Sequence, residues 1–210
     1  MIKKRKKPGR PKKSLHMDTI IKRSTEVFSE KGYSGTTLDE IAEKLNIKKP
    51  SLIHHCSNKK ALYLKIVGVT TDNIKSYIEQ GLLDKLSFAE KLDYMGRQIT
   101  AYFKNNPTSA KLMMRELIDN GPAFSGEGQN AVQIVLNSTA EFLKSGMDAG
   151  VFARQDPKHL ALSIIGIHMY FFSTTYSTDI FLSGHAYDDE GIKKRLESVL
   201  SHVRKITLAD

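Results

Sequence analysis

The apolar positions of this chain recur at three- and four-residue spacing along most of its length, a pattern that predicts helices and shows no strand alternation. The first stripe begins near Leu15, places Ile20, Ile21, Ser24, Val27 and Phe28 on one face, and stops at Gly32, just past Lys31, as a closing glycine should. Thr37 stands where the next helix needs a cap, Glu40 three residues on completes a capping box, and Leu38, Ile41, Ala42 and Leu45 form the inner face. KKPSLIHHC at 48–56 predicts a third short helix, in which Pro50 is tolerated because first-turn amides have no helical partner. Two short helices about four residues apart, the second basic and polar outside, make a helix-turn-helix pattern, although a plain structural hairpin has the same spacing.

Downstream the spacing predicts a long helix from about Lys59 toward Leu83, another over about 87–104, and one opened by Pro107 that turns Ala110, Met113, Met114, Leu117 and Ile118 inward. GPAFSG at 121–126 is a break. Helix resumes over 127–146, and Asp156 with Pro157 opens a helix to about Leu182. Ile192, Leu196, Val199, Leu200, Val203 and Ile206 mark the last one. The expectation is an all-α protein of about nine helices: a basic tail over 1–14, a three-helix helix-turn-helix unit over 15–60, and a helical body over 61–210.

Charge divides the chain in the same way. Residues 1–60 carry 16 Lys and Arg against 6 Asp and Glu, and the other 150 carry 16 against 17, so the net +9 arises wholly in the first sixty. Such a footprint suits a polyanion. KKRKKPGRPKK at 3–13 has eight basic residues and nothing apolar to bury, so no structure of its own is expected there. Within it, PGRPKK at 8–13 resembles the core of an AT-hook, with Arg10 entering the narrow minor groove of A·T-rich DNA and Lys12 and Lys13 near phosphates. A generic basic arm is the alternative. The single cysteine, Cys56, rules out an internal disulfide framework. The richest apolar run, 160–172, is interrupted by Ser163, Gly166 and His168 and falls short of the roughly 18–20 residues of a membrane span. A cytoplasmic protein is expected. With no Gly-rich phosphate loop, nucleophile elbow or metal-ligand spacing, the expectation is no enzyme, no cofactor and no metal.

Three runs in fixed order carry a resemblance: F-x-x-K-G-Y at Phe28–Tyr33, T-T-L-x-x-I-A at Thr36–Ala42, and L-x-H followed by S-N-K-K-A-L from Leu52 to Leu62. Together they cover about a quarter of the chain and resemble the DNA-binding domain of the TetR family of bacterial transcriptional regulators. The resemblance implies an all-helical fold with a C-terminal ligand-binding, dimerising domain, and phosphate contacts by Lys48 and Lys59. It has departures. Lys48 stands where the family usually has Ser or Thr, and Pro50 where a small residue is common. Ile53, His54, His55 and Cys56 replace a frequent Tyr-x-Tyr-Phe run, so His55 takes the place of a phosphate-contacting tyrosine as a donor whose strength depends on pH.

From the residues themselves, Thr37 offers a hydroxyl and amide at a helix N-terminus where phosphate is favoured. Lys49, Ser51 and His54 are the base-reading candidates on the outer side of the third helix. Each lysine is equally a solvated charge, and the two histidines equally point to solvent and to packing. A dimer reads two half-sites, and the last two helices are the interface candidates through Ile164, Ile167, Phe171, Leu196, Val199, Leu200 and Val203. The same stripes also suit the interior of one monomer. Helices between 87 and 183 are expected to enclose a small-molecule cavity with Tyr102, Phe103, Met113, Met114, Glu116, His168 and Phe172 as lining candidates and ordinary core as their alternative. Its effector would be mostly apolar. The function expected is a dimeric operator-binding repressor released by that effector. The competing reading is an architectural A·T-rich DNA-binding protein without small-molecule control.

Overall fold

A computed structural model describes residues 16–83, 85–123 and 131–209. Among them are ten helices: α1 (Met17–Lys31), α2 (Leu38–Lys44), α3 (Lys49–His55), α4 (Lys59–Leu83), α5 (Phe88–Asn105), α6 (Pro107–Ile118), α7 (Ala131–Asp148), α8 (Pro157–Ser173), α9 (Thr175–Phe181) and α10 (Asp189–Thr207). The basic tail with Arg10, Lys12 and Lys13, and the second half of the GPAFSG break, 124–126, lie outside the described residues.

Local chemistry sets most of the helix ends. Gly32 closes α1 at φ 72°, a left-handed conformation that favours glycine, and the Arg115 guanidinium of α6 lies beside it, 2.9 Å from where a Cβ would stand. Ser87 and Glu90 cap α5 with a second capping box, and the Asp156 side chain accepts from the amides of Lys158 and His159 at the start of α8. The sequence pattern missed one break. The apolar run after Pro157 is not one helix but α8 and α9, interrupted at Thr174, whose hydroxyl donates 2.7 Å to the Tyr170 carbonyl. Serine and threonine back-bonds of this kind bend helices, and hydropathy carries no trace of them.

Two apolar clusters organise the packing. One joins α1, α2 and α3 to the first half of α4, to α6 and to the end of α8, through Ile20, Phe28, Leu52, Leu62, Leu112 and Phe172. The other fills the body between α4, α5, α7, α8 and α10, through Ile78, Leu92, Leu143, Phe152, Ile164 and Val199. Extended pairing among the described residues is a single bridge between Phe152 and Leu208, which ties the end of α10 to the turn after α7. The long helix α4 belongs to both clusters. Its 25 residues span about 37 Å at 1.5 Å per residue, running from the three-helix unit into the body.

Candidate DNA interface and effector cavity

The turn between α2 and α3 is built by Asn46, which takes the left-handed conformation at φ 54°. Asn46 N donates to Glu43 O at 2.8 Å and Ile47 N to Ala42 O at 2.9 Å, the paired bonds of a Schellman ending. Asparagine tolerates that conformation better than other non-glycine residues, and the bonds leave Ile47 partly buried against the first cluster. Leu52 is fully buried and Cys56 nearly so, its thiol donating to the Leu52 carbonyl at 3.3 Å. These two inward residues fix the roll of α3.

At 100° per residue, the positions opposite Leu52 are Pro50 and His54, flanked by Ser51 and Ile53. All four are exposed, as are Lys48, Lys49 and His55. The packing alternative for His55 is not what the structure shows: both imidazoles stand in solvent, 6.0 Å apart between ring centroids. Ile53 was missed by sequence reasoning, because an apolar residue beside Leu52 reads as core, yet it is 42 % exposed. Lys49 lies on the flank toward α2, where its ammonium is 2.8 Å from Asp39 Oδ2. Both partners are largely exposed, so this pair is worth at most about 1 kcal/mol and yields readily to a competing anion.

Two expected phosphate ligands are reassigned by their partners. Lys59 Nζ donates to the carbonyls of Tyr33 and Thr36, at 2.9 and 3.0 Å, and lies 4.4 Å above the Tyr33 ring. It therefore staples the start of α4 to the loop before α2. Thr37 is likewise committed: its amide and hydroxyl both donate to Glu40 Oε2, at 2.8 and 3.0 Å, while Glu40 N donates to the Thr37 hydroxyl at 3.2 Å. The Glu40 carboxylate thus occupies the helix N-terminus where a phosphate was expected. The Lys31 ammonium, then the Thr37 amide and hydroxyl, hold that carboxyl at about 2 instead of its usual 4.5.

The sign of the resulting pH dependence follows from this lowering. The ionised carboxylate contributes fully above about pH 4.5, the unfolded value, and its contribution is lost as pH falls through about 2. Glu40→Gln keeps an acceptor for the amide but removes the charge. The expected stability difference from the parent protein, measured by urea denaturation, is constant from pH 5 to 8 and shrinks below it. A difference unchanged at pH 3 would contradict the charge account.

Between the DNA-binding unit and the body lies a buried polar contact. Tyr63 on α4, 1 % exposed, donates 2.6 Å to Glu116 Oε2 on α6, which is fully buried. Burial and the Glu116 carboxylate push the Tyr63 phenol well above its ordinary range. Tyr63 also meets Phe28 and Tyr33 edge-on at 4.9 and 5.0 Å. Tyr63→Phe is expected to cost about 1–3 kcal/mol, because a buried carboxyl loses one hydrogen bond. Glu116→Leu should cost a similar amount, and the double variant less than the sum of the two. Additive losses in urea titrations at fixed protein concentration would show that the two groups are not coupled.

Inside the body, helices α4, α5, α7, α8 and α10 surround a cavity of about 70 Å³. Its wall is apolar apart from His168 and Thr139, and includes Ile78, Met95, Phe103, Phe142, Ile164 and Leu200. Two of the seven expected lining residues, Phe103 and His168, are on it. The other five are corrected. Met113, Met114 and Phe172 pack in the cluster shared with the DNA-binding unit, Glu116 holds Tyr63, and Tyr102 is half-buried with its hydroxyl 3.3 Å from Thr70 Oγ1. Periodicity groups residues on one helix face but does not say which neighbour that face meets. Here the inner face of α6 meets α1, α4 and α8.

The expected interface stripe also turns inward. Ile164, Phe171, Val199, Leu200 and Val203 are buried within the single chain, and Ile164, Leu200 and Val203 line the cavity, so these five are core side chains. Ile167 and Leu196 are half-buried. What α8 exposes instead is Leu162, Gly166 and Tyr170, four residues apart on one face, with Leu162 57 % and Tyr170 63 % accessible. Tyr176 and Phe181 on α9 extend this surface, and a groove of about 990 Å³ runs from Tyr170 and Phe181 to Lys194 and Ser198 on α10. No helix among the described residues is long and apolar enough to cross a membrane, and no group of their acidic, His and Cys side chains is arranged to hold a metal.

Two stretches of the chain match families of known proteins. Residues 20–66 match the model of bacterial regulatory proteins, tetR family, and residues 89–203 match that of the tetracyclin repressor-like C-terminal domain. The chain is 48 % identical over 61 residues to the negative transcriptional regulator IcaR of the biofilm operon icaADBC in Staphylococcus aureus strain Newman, covering 29 % of this chain and 33 % of that protein. It is 54 % identical over 50 residues to IcaR of Staphylococcus epidermidis, covering 24 % of this chain and 27 % of the relative. The chain thus spans about a third of the length of these curated relatives. Over the whole fold, a tetR-family regulatory protein from Rhodococcus RHA1 superposes with a TM-score of 0.69 at 22 % identity, covering 91 % of this chain and 96 % of that one. AibR, solved with isovaleryl coenzyme A and operator DNA, superposes at 0.66 with 16 % identity, covering 89 % and 96 %.

Proposed function

Since this chain belongs to the TetR family of bacterial regulatory proteins, we propose that it is a transcriptional repressor that binds operator DNA as a dimer and is released by a small apolar effector. The observation that carries the DNA-binding half is the outer face of α3. Pro50, Ser51, Ile53 and His54 are turned away from the core by Leu52 and Cys56, and no described side chain from elsewhere covers them. On this reading Ser51 and His54 hydrogen-bond base edges, and Ile53 and Pro50 supply apolar contact for thymine methyl groups. Lys48, Lys49 and His55 contact phosphates at the margins, Lys49 exchanging Asp39 for the backbone. Thr37 and Lys59 act by positioning α2 and α3. IcaR is named as a negative regulator, which supports repression as the sense of control.

For the effector half, α4 carries the argument. Its start is stapled by Lys59 and locked by Tyr63 to α1 and α6, and its later residues Ile74 and Ile78 line the cavity. A molecule that changes the wall therefore moves the helix that holds the DNA-binding unit. Such a molecule releases DNA only if it binds the non-operator conformation more tightly. AibR, solved with an acyl coenzyme A and operator, shows that a protein of this fold takes both ligands. We place the dimer contact on the exposed face of α8, at Leu162, Gly166 and Tyr170, with α9 and the Ser198 side of α10 beside it.

The test is fluorescence anisotropy on a duplex from upstream of the coding sequence against random duplex of matched A·T content, at several salt concentrations. A preference of about 10³ or more is expected. Equal affinity for both duplexes would favour the architectural reading instead.

A further inference from the structure

His168 Nε2 is a buried nitrogen with no partner at hydrogen-bond distance and angle, the Gly96 backbone lying beside it without bonding to it, on a residue only 5 % exposed, and its ring forms part of the cavity wall. The other ring nitrogen settles its role. Nδ1 is 3.0 Å from the Ile164 carbonyl oxygen, and a carbonyl only accepts, so Nδ1 carries the proton. In the neutral ring Nε2 then presents a lone pair. Burial favours that neutral form, pushing the imidazole below its ordinary value, and the Arg195 charge acts in the same direction against the pull of the Ile164 and Gly96 carbonyls.

Water is a poor occupant for this position, because a buried water is typically held by about three hydrogen bonds. The only other polar side chain among the described lining residues is Thr139, whose hydroxyl donates to the Val135 carbonyl at 2.8 Å. Space beside Nε2 is kept open by Gly96: a Cβ there would lie 3.7 Å from Nε2 and 2.9 Å from Leu200 Cδ2. The cavity has room for something slender. At about 70 Å³ it is smaller than the roughly 150 Å³ void that takes up benzene, and the flexible thioethers of Met95 and Met169 on its wall allow it to lengthen around a chain.

We infer that the effector is a slender apolar molecule bearing one hydroxyl-type donor, and that this donor is given to His168 Nε2. The inference rests on the effector reading above and specifies its chemistry. A carboxylate of the same length brings only lone pairs to a lone pair, and an alkyl halide brings no proton, so both bind less well.

The experiment is calorimetric titration of the full-length protein at pH 8 with 1-hexanol, 1-fluorohexane and hexanoate. Hexanol is expected to bind about tenfold more tightly than either analogue, the discrimination of one buried hydrogen bond. In His168→Leu the preference for hexanol over fluorohexane disappears. Gly96→Ala, which fills the space beside Nε2 at the expense only of a leucine methyl, weakens hexanol more than fluorohexane and gives the same reading if the histidine variant does not fold. Equal binding of hexanol and fluorohexane by the parent protein, hexanoate binding as tight as hexanol, or a preference that survives in either variant overturns the anchor while leaving an apolar effector cavity in place. Failure of both neutral compounds to bind a protein that still binds its operator overturns the anchor and the cavity reading together.

Discussion

Deletion of residues 1–13 is expected to weaken operator binding by about 10²–10³-fold near 0.2 M salt and to flatten its salt dependence, with little loss of preference for operator over random sequence. The deleted segment holds eight of the chain's 32 basic residues. If each half of the dimer neutralises about five phosphates, the slope of log K against log salt approaches −9, and removing Arg10, Lys12 and Lys13 from both halves lowers its magnitude by about 5. Anisotropy from 50 to 200 mM salt measures this directly. Flanking sequence separates the two accounts of the tail. An Arg10 that enters a narrow minor groove loses most affinity on A·T-rich flanks, whereas a generic arm loses the same on G·C-rich flanks. An unchanged slope would eliminate the tail from binding altogether.

Tyr170→Asp is expected to convert the proposed dimer to a monomer and to reduce operator affinity by about 10²–10⁴-fold. Tyr170 stands at the C-terminal end of the exposed α8 face, one turn beyond Gly166, where a Cβ would meet nothing within 4 Å and a second helix can approach closely. A carboxylate placed there on both protomers adds two desolvated like charges across a two-fold axis. The loss of DNA affinity follows from geometry and not from the DNA-binding unit itself. One three-helix unit reads one half-site, and the second binding event is intramolecular only while the two units are held about 34–36 Å apart or a multiple of it. Sedimentation would report the mass, and unchanged far-ultraviolet dichroism would show the fold intact. A variant that remains dimeric places the interface elsewhere, with the α9 surface at Tyr176 and Phe181 the next to substitute.

The legible parts of the molecule were those determined within one or two turns of chain. The Gly32 stop, the Thr37–Glu40 capping box, the Pro107 start and the Asp156–Pro157 start all depend on residues at fixed short separations, and each falls where the pattern places it. The break at Thr174 is local too, but its signal is one hydroxyl bonding back to a carbonyl inside an apolar run. The site residues fared differently. Lys59 and Thr37 are donors in the expected places, yet their bonds to Tyr33, Thr36 and Glu40 turn them into supports for the surface they were expected to belong to. Those partners lie up to 26 residues away for Lys59 and only three for Thr37. In both cases the competition for a donor is decided by proximity in space.

By itself the amino-acid sequence determined an all-helical chain, the positions of most helix ends, a helix-turn-helix unit near its start and a net charge confined to its first sixty residues. These follow from backbone sterics, capping and the 3.6-residue period, which act along the chain. Only the tertiary structure decided which helix each apolar face meets. It sent Met113 and Met114 toward the DNA-binding unit, Ile164, Leu200 and Val203 to the cavity, and Leu162 and Tyr170 to the surface. Hydrophobic burial is proportional to area and has no direction of its own, so an apolar stripe is satisfied by a neighbour within the chain, a ligand or a second copy alike. The choice among them is made by how the described helices pack together, and that is also what left His168 Nε2 unbonded at a cavity wall.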